Sequence, residues 1–162
     1  GEMAGNYCLG LEGTGVDGGY KHCIANNCES SRKRNQSIIS ERAIRELYFK
    51  AFEVAMKVHM PKSIMTAYNA VNGVPTSADA DLILGLFREE NGFDGFVMTD
   101  WNSYDTSDVV EMIRSGNNWL TPGTKDDTFT KPLVYAVADG RLSVERLRES
   151  ASYIARVIGR AE

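Results

Sequence analysis

The sequence predicts an α/β fold of four strand–helix units, half of a TIM-like (β/α)8 barrel, followed by an extra C-terminal helix. Three observations carry this reading. Four short, mostly apolar segments are each bounded by turn residues, as buried parallel strands are. Amphipathic stretches with apolar residues three and four apart separate them. The 162 residues suffice for one domain with a real core, but a closed barrel needs about 250. Strands that alternate with helices imply parallel pairing and right-handed crossovers. An open, doubly wound sheet of the same four strands satisfies the pattern too.

The first strand is YKHCIA, 20–25. A helix follows from Ser40 to Val58, with Ile44, Leu47, Tyr48, Ala51, Ala55 and Val58 on its apolar face and Glu41, Arg45, Glu46 and Glu53 between them. Ser40 suits its N-cap, and Pro61 blocks continuation. SIMTAY, 63–68, is the second strand. The next helix spans 79–90, with Thr76 or Ser77 at its start, Leu82, Ile83, Leu86 and Phe87 inside, and Asn91-Gly92 at its end. GFVMTD, 95–100, is the third strand, and a short helix over 107–114 stops at Gly116. NWLTPG, 118–123, is the fourth strand, and a helix over 131–138 stops at Gly140. The last helix starts after Ser143 and carries Leu147, Ala151, Ile154 and Ile158.

Bulk properties exclude several functional classes. A net charge of −4 leaves no electrostatic footprint for nucleic acid and no polybasic membrane patch. The basic triplet Arg32-Lys33-Arg34 reads as a solvated loop. No apolar run approaches the roughly 20 residues of a membrane span, and no signal peptide is visible. The abrupt start at GEMAG allows that the gene product begins further upstream, which leaves the compartment open. Three cysteines are an odd number, and the spacing of Cys23 and Cys28 fits no standard zinc site. They are expected to be reduced and semi-buried, with a metal or disulfide role as the alternative reading, and no cofactor is called for.

Function in α/β folds collects at the carboxyl ends of the strands. Here those ends read Lys21-His22, Tyr68-Asn69, Asp100-Trp101 and Thr121. A cation, an imidazole, a phenol, an amide, a carboxylate and an indole on one rim suit a polyhydroxylated ligand. Such a ligand takes polar partners around its ring and an aromatic face beneath it.

At these residues the chain resembles family 3 glycoside hydrolases. KHCIANNCESSR (21–32) is similar to that family's Lys-His-Phe…Asn-Asn…Glu…Arg block, and SERAIRELYFKAFEVAMK (40–57) to the helix after it. IMTAYNAVNGVPTS (64–77) and LFREENGFDGFVMTDW (86–101) continue the resemblance in the same order. The resemblance implies that residues 1–162 are the second half of the family's N-terminal barrel domain. It makes Asp100 the catalytic nucleophile and Trp101 the aromatic wall of the subsite holding the reacting sugar. Lys21 and His22 would hydrogen-bond sugar hydroxyls, and Met65 and Tyr68 would line the subsite.

A retaining glycosidase needs one ionised carboxylate to attack the anomeric carbon and a second carboxyl group about 5–5.5 Å away to protonate the leaving oxygen. Lys21 and His22 would help keep the neighbouring carboxylate charged. Glu29 and Arg32 are expected to pair and brace the loop after the first strand. His59 reads as a helix-end residue, and Asp105, Asp108, Asp126 and Asp127 as caps and solvated loop residues.

Two departures shape the expectation. The family places its general acid/base outside this segment, and the subgroup that keeps a His-Asp pair near the Lys-His block has no counterpart in IANNCES. The resemblance therefore implies the β-glucosidase/β-xylosidase branch, exo-acting on a β-linked oligosaccharide or an aryl or alkyl β-glycoside. The first four barrel units are also absent, so the isolated chain is expected to be inactive. Its partners would be the remaining half of the barrel and the acid-bearing domain, or another chain. The alternative is a self-standing half-barrel serving as a structural or carbohydrate-binding module. A phosphate-binding barrel enzyme lacks support, since no Gly-rich phosphate loop precedes a helix.

Overall fold

A computed structural model describes residues 1–159; the last three positions of the expected domain lie outside the described residues. The strands are β1 (Gly19–Cys23), β2 (Gln36–Ser37), β3 (Ser63–Thr66), β4 (Ala70–Val71), β5 (Val74–Pro75) and β6 (Phe96–Met98). The helices are α1 (Glu2–Glu12), α2 (Glu41–Ala43, Ile44–Tyr48 and Lys50–Val58 in succession), α3 (Asp81–Glu90), α4 (Val109–Arg114), α5 (Thr130–Ala138) and α6 (Val144–Ile158).

The main sheet is parallel and ordered β1-β3-β6. Its register aligns Tyr20 with Ile64 and Ile64 with Val97. All three are buried, and they form the outward row packed under the helices. Successive strand residues alternate between faces. Met65 and Met98 therefore share the opposite face, the barrel-lumen side, while Lys21 falls where the β1–β3 register slips between Tyr20 and Cys23.

The expected fourth strand is reduced to a single parallel bridge, Met98 with Trp119. Trp119 donates to the Val97 carbonyl at 3.1 Å and accepts from Thr99 at 3.0 Å. Beyond it the ladder cannot run on. The Thr121 N–H is taken by the Thr99 hydroxyl at 2.9 Å, and Pro122 offers no N–H. Phe96 and Trp119 pack with ring centroids 5.6 Å apart on the lumen side.

α2 starts where expected, with the Ser40 hydroxyl accepting from Ala43 N–H. Its buried face differs from the simple periodic reading. Phe49 N–H reaches back to the Ile44 carbonyl at 2.7 Å, a wide turn that inserts a residue and rotates everything after it. Leu47, Ala51 and Val58, expected inward, are exposed; Ala55 is buried as expected, and Phe49 and Met56 are buried with it. Phe49 stacks on Phe52 and on Phe87 of α3. In α3 the expected inward residues Leu82, Ile83, Leu86 and Phe87 are all buried. Asp79, rather than Thr76 or Ser77, accepts from the first turn, at Leu82 N–H.

Two features were not anticipated. α1 packs along α2 with no room for a side chain at Gly5, where a Cβ would meet Val58 and the Ala55 carbonyl. A second small sheet, β2-β4-β5, is closed by a hairpin through Asn72 and Gly73, at φ 51° and 92°. Both residues take the left-handed conformation that an Asn-Gly pair favours in such turns. No helix among the described residues is long and apolar enough to cross a membrane.

Arg88 ties α3 to the sheet. Its guanidinium donates to the Phe93 and Gly95 carbonyls and to Asn118 Oδ1, and lies 3.5 Å from the Tyr153 ring centroid of α6. Asn118 Oδ1 also accepts from Val97 N–H at 2.7 Å, so α3, β6 and α6 share one half-buried polar joint.

Candidate active site

β6 ends at Met98, and the chain leaves the core through Thr99. Asp100 comes next, its side chain 15% exposed. One carboxylate oxygen, Oδ1, accepts from Trp101 N–H at 2.7 Å. The other, Oδ2, lies 3.5 Å from His22 Nε2 at the end of β1. The Asp100 carbonyl accepts from the Ser103 N–H and hydroxyl. Asn102 sits in the left-handed region, φ 61°, with its N–H bonded to the Thr121 carbonyl at 3.0 Å. The turn thus aims one lone-pair face of Asp100 at the rim.

Tyr68, just beyond β3, is buried, and its hydroxyl donates to the Trp101 carbonyl at 2.6 Å. Burial pushes its phenol pKa up, and the neighbouring Asp100 carboxylate pushes the same way against Arg32 and Lys33. The Arg32 guanidinium stands 4.7 Å from the centre of the Tyr68 ring, and Lys33 Nζ 5.3 Å. Arg32 is held by Glu29 at 3.1 Å, as the sequence suggested. Trp101 is 60% exposed, its indole open to the rim rather than buried in the core.

His22, Tyr68, Asp100 and Trp101 are thus linked by direct contacts. Met65 lies half-buried on the lumen side, and Lys21 is exposed beside the slipped register of β1. The peptide bond between Lys21 and His22 is cis. Among the described residues, no group of three or more His, Cys, Asp or Glu side chains gathers as a metal cage. Cys8 and Cys23 are buried, whereas Cys28 is exposed; all three are free thiols.

Residues 1–157 match the N-terminal domain of glycosyl hydrolase family 3. The chain belongs to glycoside hydrolase family 3. A β-glucosidase of Ruminococcus albus is 38% identical over 162 residues, covering 95% of this chain and 17% of that protein. An exo-α-(1→6)-L-arabinopyranosidase of Bifidobacterium breve is 38% identical over 154 residues, covering 92% of this chain and 20% of that protein. Among solved structures, β-glucosidase 3B from Thermotoga neapolitana with glycerol matches at TM-score 0.89 and 38% identity, over 96% of this chain and 22% of that one. A family 3 β-glucosidase from Bifidobacterium adolescentis matches at TM-score 0.88 and 35% identity, over 97% and 23%. The chain spans about a fifth of the length of such relatives.

Within this family 3 segment, the basic loop makes contacts that the sequence does not announce. Lys33, read as solvated, reaches Asp105 Oδ2 at 2.6 Å and the Asn102 carbonyl at 3.4 Å. Asp105, read as a solvated loop residue, is its partner. A charged pair this far apart in sequence leaves no periodic signal. Asp108 is a helix cap as expected, accepting from Val110 and Glu111. His59 ends α2 as expected, and also pairs with Glu12 at 2.7 Å, beside Lys62. Those three sit at the amino end of β3, away from the rim.

Proposed function

We propose that this segment carries the nucleophile side of a retaining β-glycosidase site that removes terminal sugars from β-glucosides or β-xylosides. The observation that supports it most is the setting of Asp100. It stands at the carboxyl end of β6, one oxygen fixed by Trp101 N–H and the other facing His22 at 3.5 Å. In this reading Asp100 Oδ2 attacks the anomeric carbon, the glycosidic C–O bond breaks, and the leaving oxygen takes a proton from an acid elsewhere in the whole protein. Water then hydrolyses the glycosyl ester, with that same group acting as base. His22 and Lys21 hydrogen-bond sugar hydroxyls, Trp101 offers its exposed face to the ring, and Tyr68 and Met65 line the subsite. Turnover would require the rest of the barrel and the acid-bearing domain, as the second half of a barrel cannot surround a sugar.

The test grafts this chain in place of the matching segment of the Thermotoga neapolitana enzyme. The graft is treated with 2,4-dinitrophenyl 2-deoxy-2-fluoro-β-glucoside, whose fluorine slows hydrolysis of the ester. A stable adduct on the peptide containing Asp100 is expected. An adduct on any other carboxylate would overturn the assignment. The isolated 162-residue chain should not hydrolyse nitrophenyl β-glucoside.

A further inference from the structure

We infer that Lys33 is a positioning residue for the turn that holds Asp100; the inference rests on the glycosidase reading. The strand order leaves β3 between β1 and β6. A loop leaving β1 must therefore cross the end of β3 to touch the turn after β6. Lys33 makes that crossing. Its ammonium meets Asp105 Oδ2 at 2.6 Å and the Asn102 carbonyl at 3.4 Å. Beneath it lies the Tyr68 ring, which Arg32 also covers, and the Tyr68 hydroxyl returns to the Trp101 carbonyl. Loop, ring and turn form one closed circuit.

The turn has reason to need it. Asn102 is a non-glycine residue in the left-handed region, a conformation that persists when its surroundings enforce it. Three contacts meet its backbone: the Thr121 carbonyl on the N–H, and on the carbonyl the Asp105 N–H at 3.1 Å and Lys33 Nζ at 3.4 Å, so that Lys33 grips both the carbonyl and the side chain of the residue that caps it. The same turn supplies the Trp101 N–H that orients the Asp100 carboxylate. The Lys33 and Asp105 side chains are 35% and 51% exposed. A pair so exposed contributes little to global stability. Its effect falls on the precision of the turn, and displacement of a reacting group by a fraction of an ångström slows the chemical step.

Two measurements test this. In the 162-residue chain, Lys33→Met should speed amide hydrogen exchange at residues 101–106 about two- to fivefold. Amides of β1, β3 and β6 should be unchanged. Lys33→Arg should restore the slow rate, and about 0.5 M salt should speed the native chain but not Lys33→Met. Unchanged exchange over 101–106 in Lys33→Met would overturn the inference whatever the activity. In the grafted enzyme, Lys33→Met should lower kcat about two- to fivefold with KM almost unchanged, and Lys33→Arg should recover it. Faster exchange with unaltered kcat would reduce Lys33 to a structural contact and also overturn positioning. A graft inactive with native Lys33 strikes instead at the glycosidase reading, and the exchange rates still decide whether Lys33 holds the turn.

Discussion

The Tyr68 hydroxyl donates to the Trp101 carbonyl at 2.6 Å, a buried phenol reaching across 33 positions of sequence to the residue that follows Asp100. The bond fixes the height of the indole on the rim. It also draws the phenol close enough to Asp100 for the carboxylate to help raise its pKa. Tyr68→Phe keeps the packing and deletes the hydroxyl. The Trp101 carbonyl then loses a partner, and stability should fall by about 1 kcal/mol in urea melts. In the grafted enzyme kcat should fall by at least about tenfold, because the Trp101 peptide also orients Asp100.

Asp100→Asn replaces the attacking oxygen with a neutral amide that cannot form the glycosyl ester. Turnover of the graft should fall to near background on every leaving group. Removal of the separate acid should be milder on substrates with good leaving groups, which need little protonation. A plot of log kcat against leaving-group pKa should therefore stay low throughout for Asp100→Asn and steepen for the acid variant. Added azide should capture, at most, an inverted glycosyl azide from an activated substrate with Asp100→Asn. Hydrolysis that survives Asp100→Asn would remove the nucleophile assignment.

Arg88→Lys should destabilise the fold by about 2–3 kcal/mol. Lysine cannot serve the Phe93 and Gly95 carbonyls and Asn118 Oδ1 in one planar fork, nor lie flat on Tyr153. Chemical denaturation should show the loss as a lower midpoint with an unchanged slope.

Glu12 sets part of the acid stability. A hydrogen bond and the charge of Lys62, with the charge of His59, hold its carboxyl below the ordinary value. A depressed folded pKa adds stability that is present above about pH 4.3, the usual glutamate value. That stability is lost as pH falls through the lower folded value. The urea midpoint of the native chain should therefore drop more steeply below about pH 4.5 than that of Glu12→Gln. Parallel curves would exclude the linkage.

Much of the architecture was legible because burial imposes period. The rows Tyr20, Ile64 and Val97 and the α3 face Leu82, Ile83, Leu86 and Phe87 are dictated by which residues must leave water. The α2 face was misread at Leu47, Ala51 and Val58 because a wide turn breaks the period without changing any residue's polarity. The last strand was over-read, since side-chain bonding at Thr99 and Thr121 replaces a ladder in ways composition does not reveal. The Asn72-Gly73 turn had a legible signal that a strand–helix alternation passes over. At the rim, motif order pointed to His22, Tyr68, Asp100 and Trp101, and these do converge. The Lys33–Asp105 pair was hidden, because charge complementarity between two loops has no spacing rule.

Because β3 separates β1 from β6, no single strand pairing brings His22 to Asp100. Their contact exists only after both pairings have formed. In refolding, contacts so distant in sequence come at the cost of closing long loops. The quenching of Trp101 by a histidine-side label would therefore clock completion of the whole sheet, whereas helix signals would register earlier and local events.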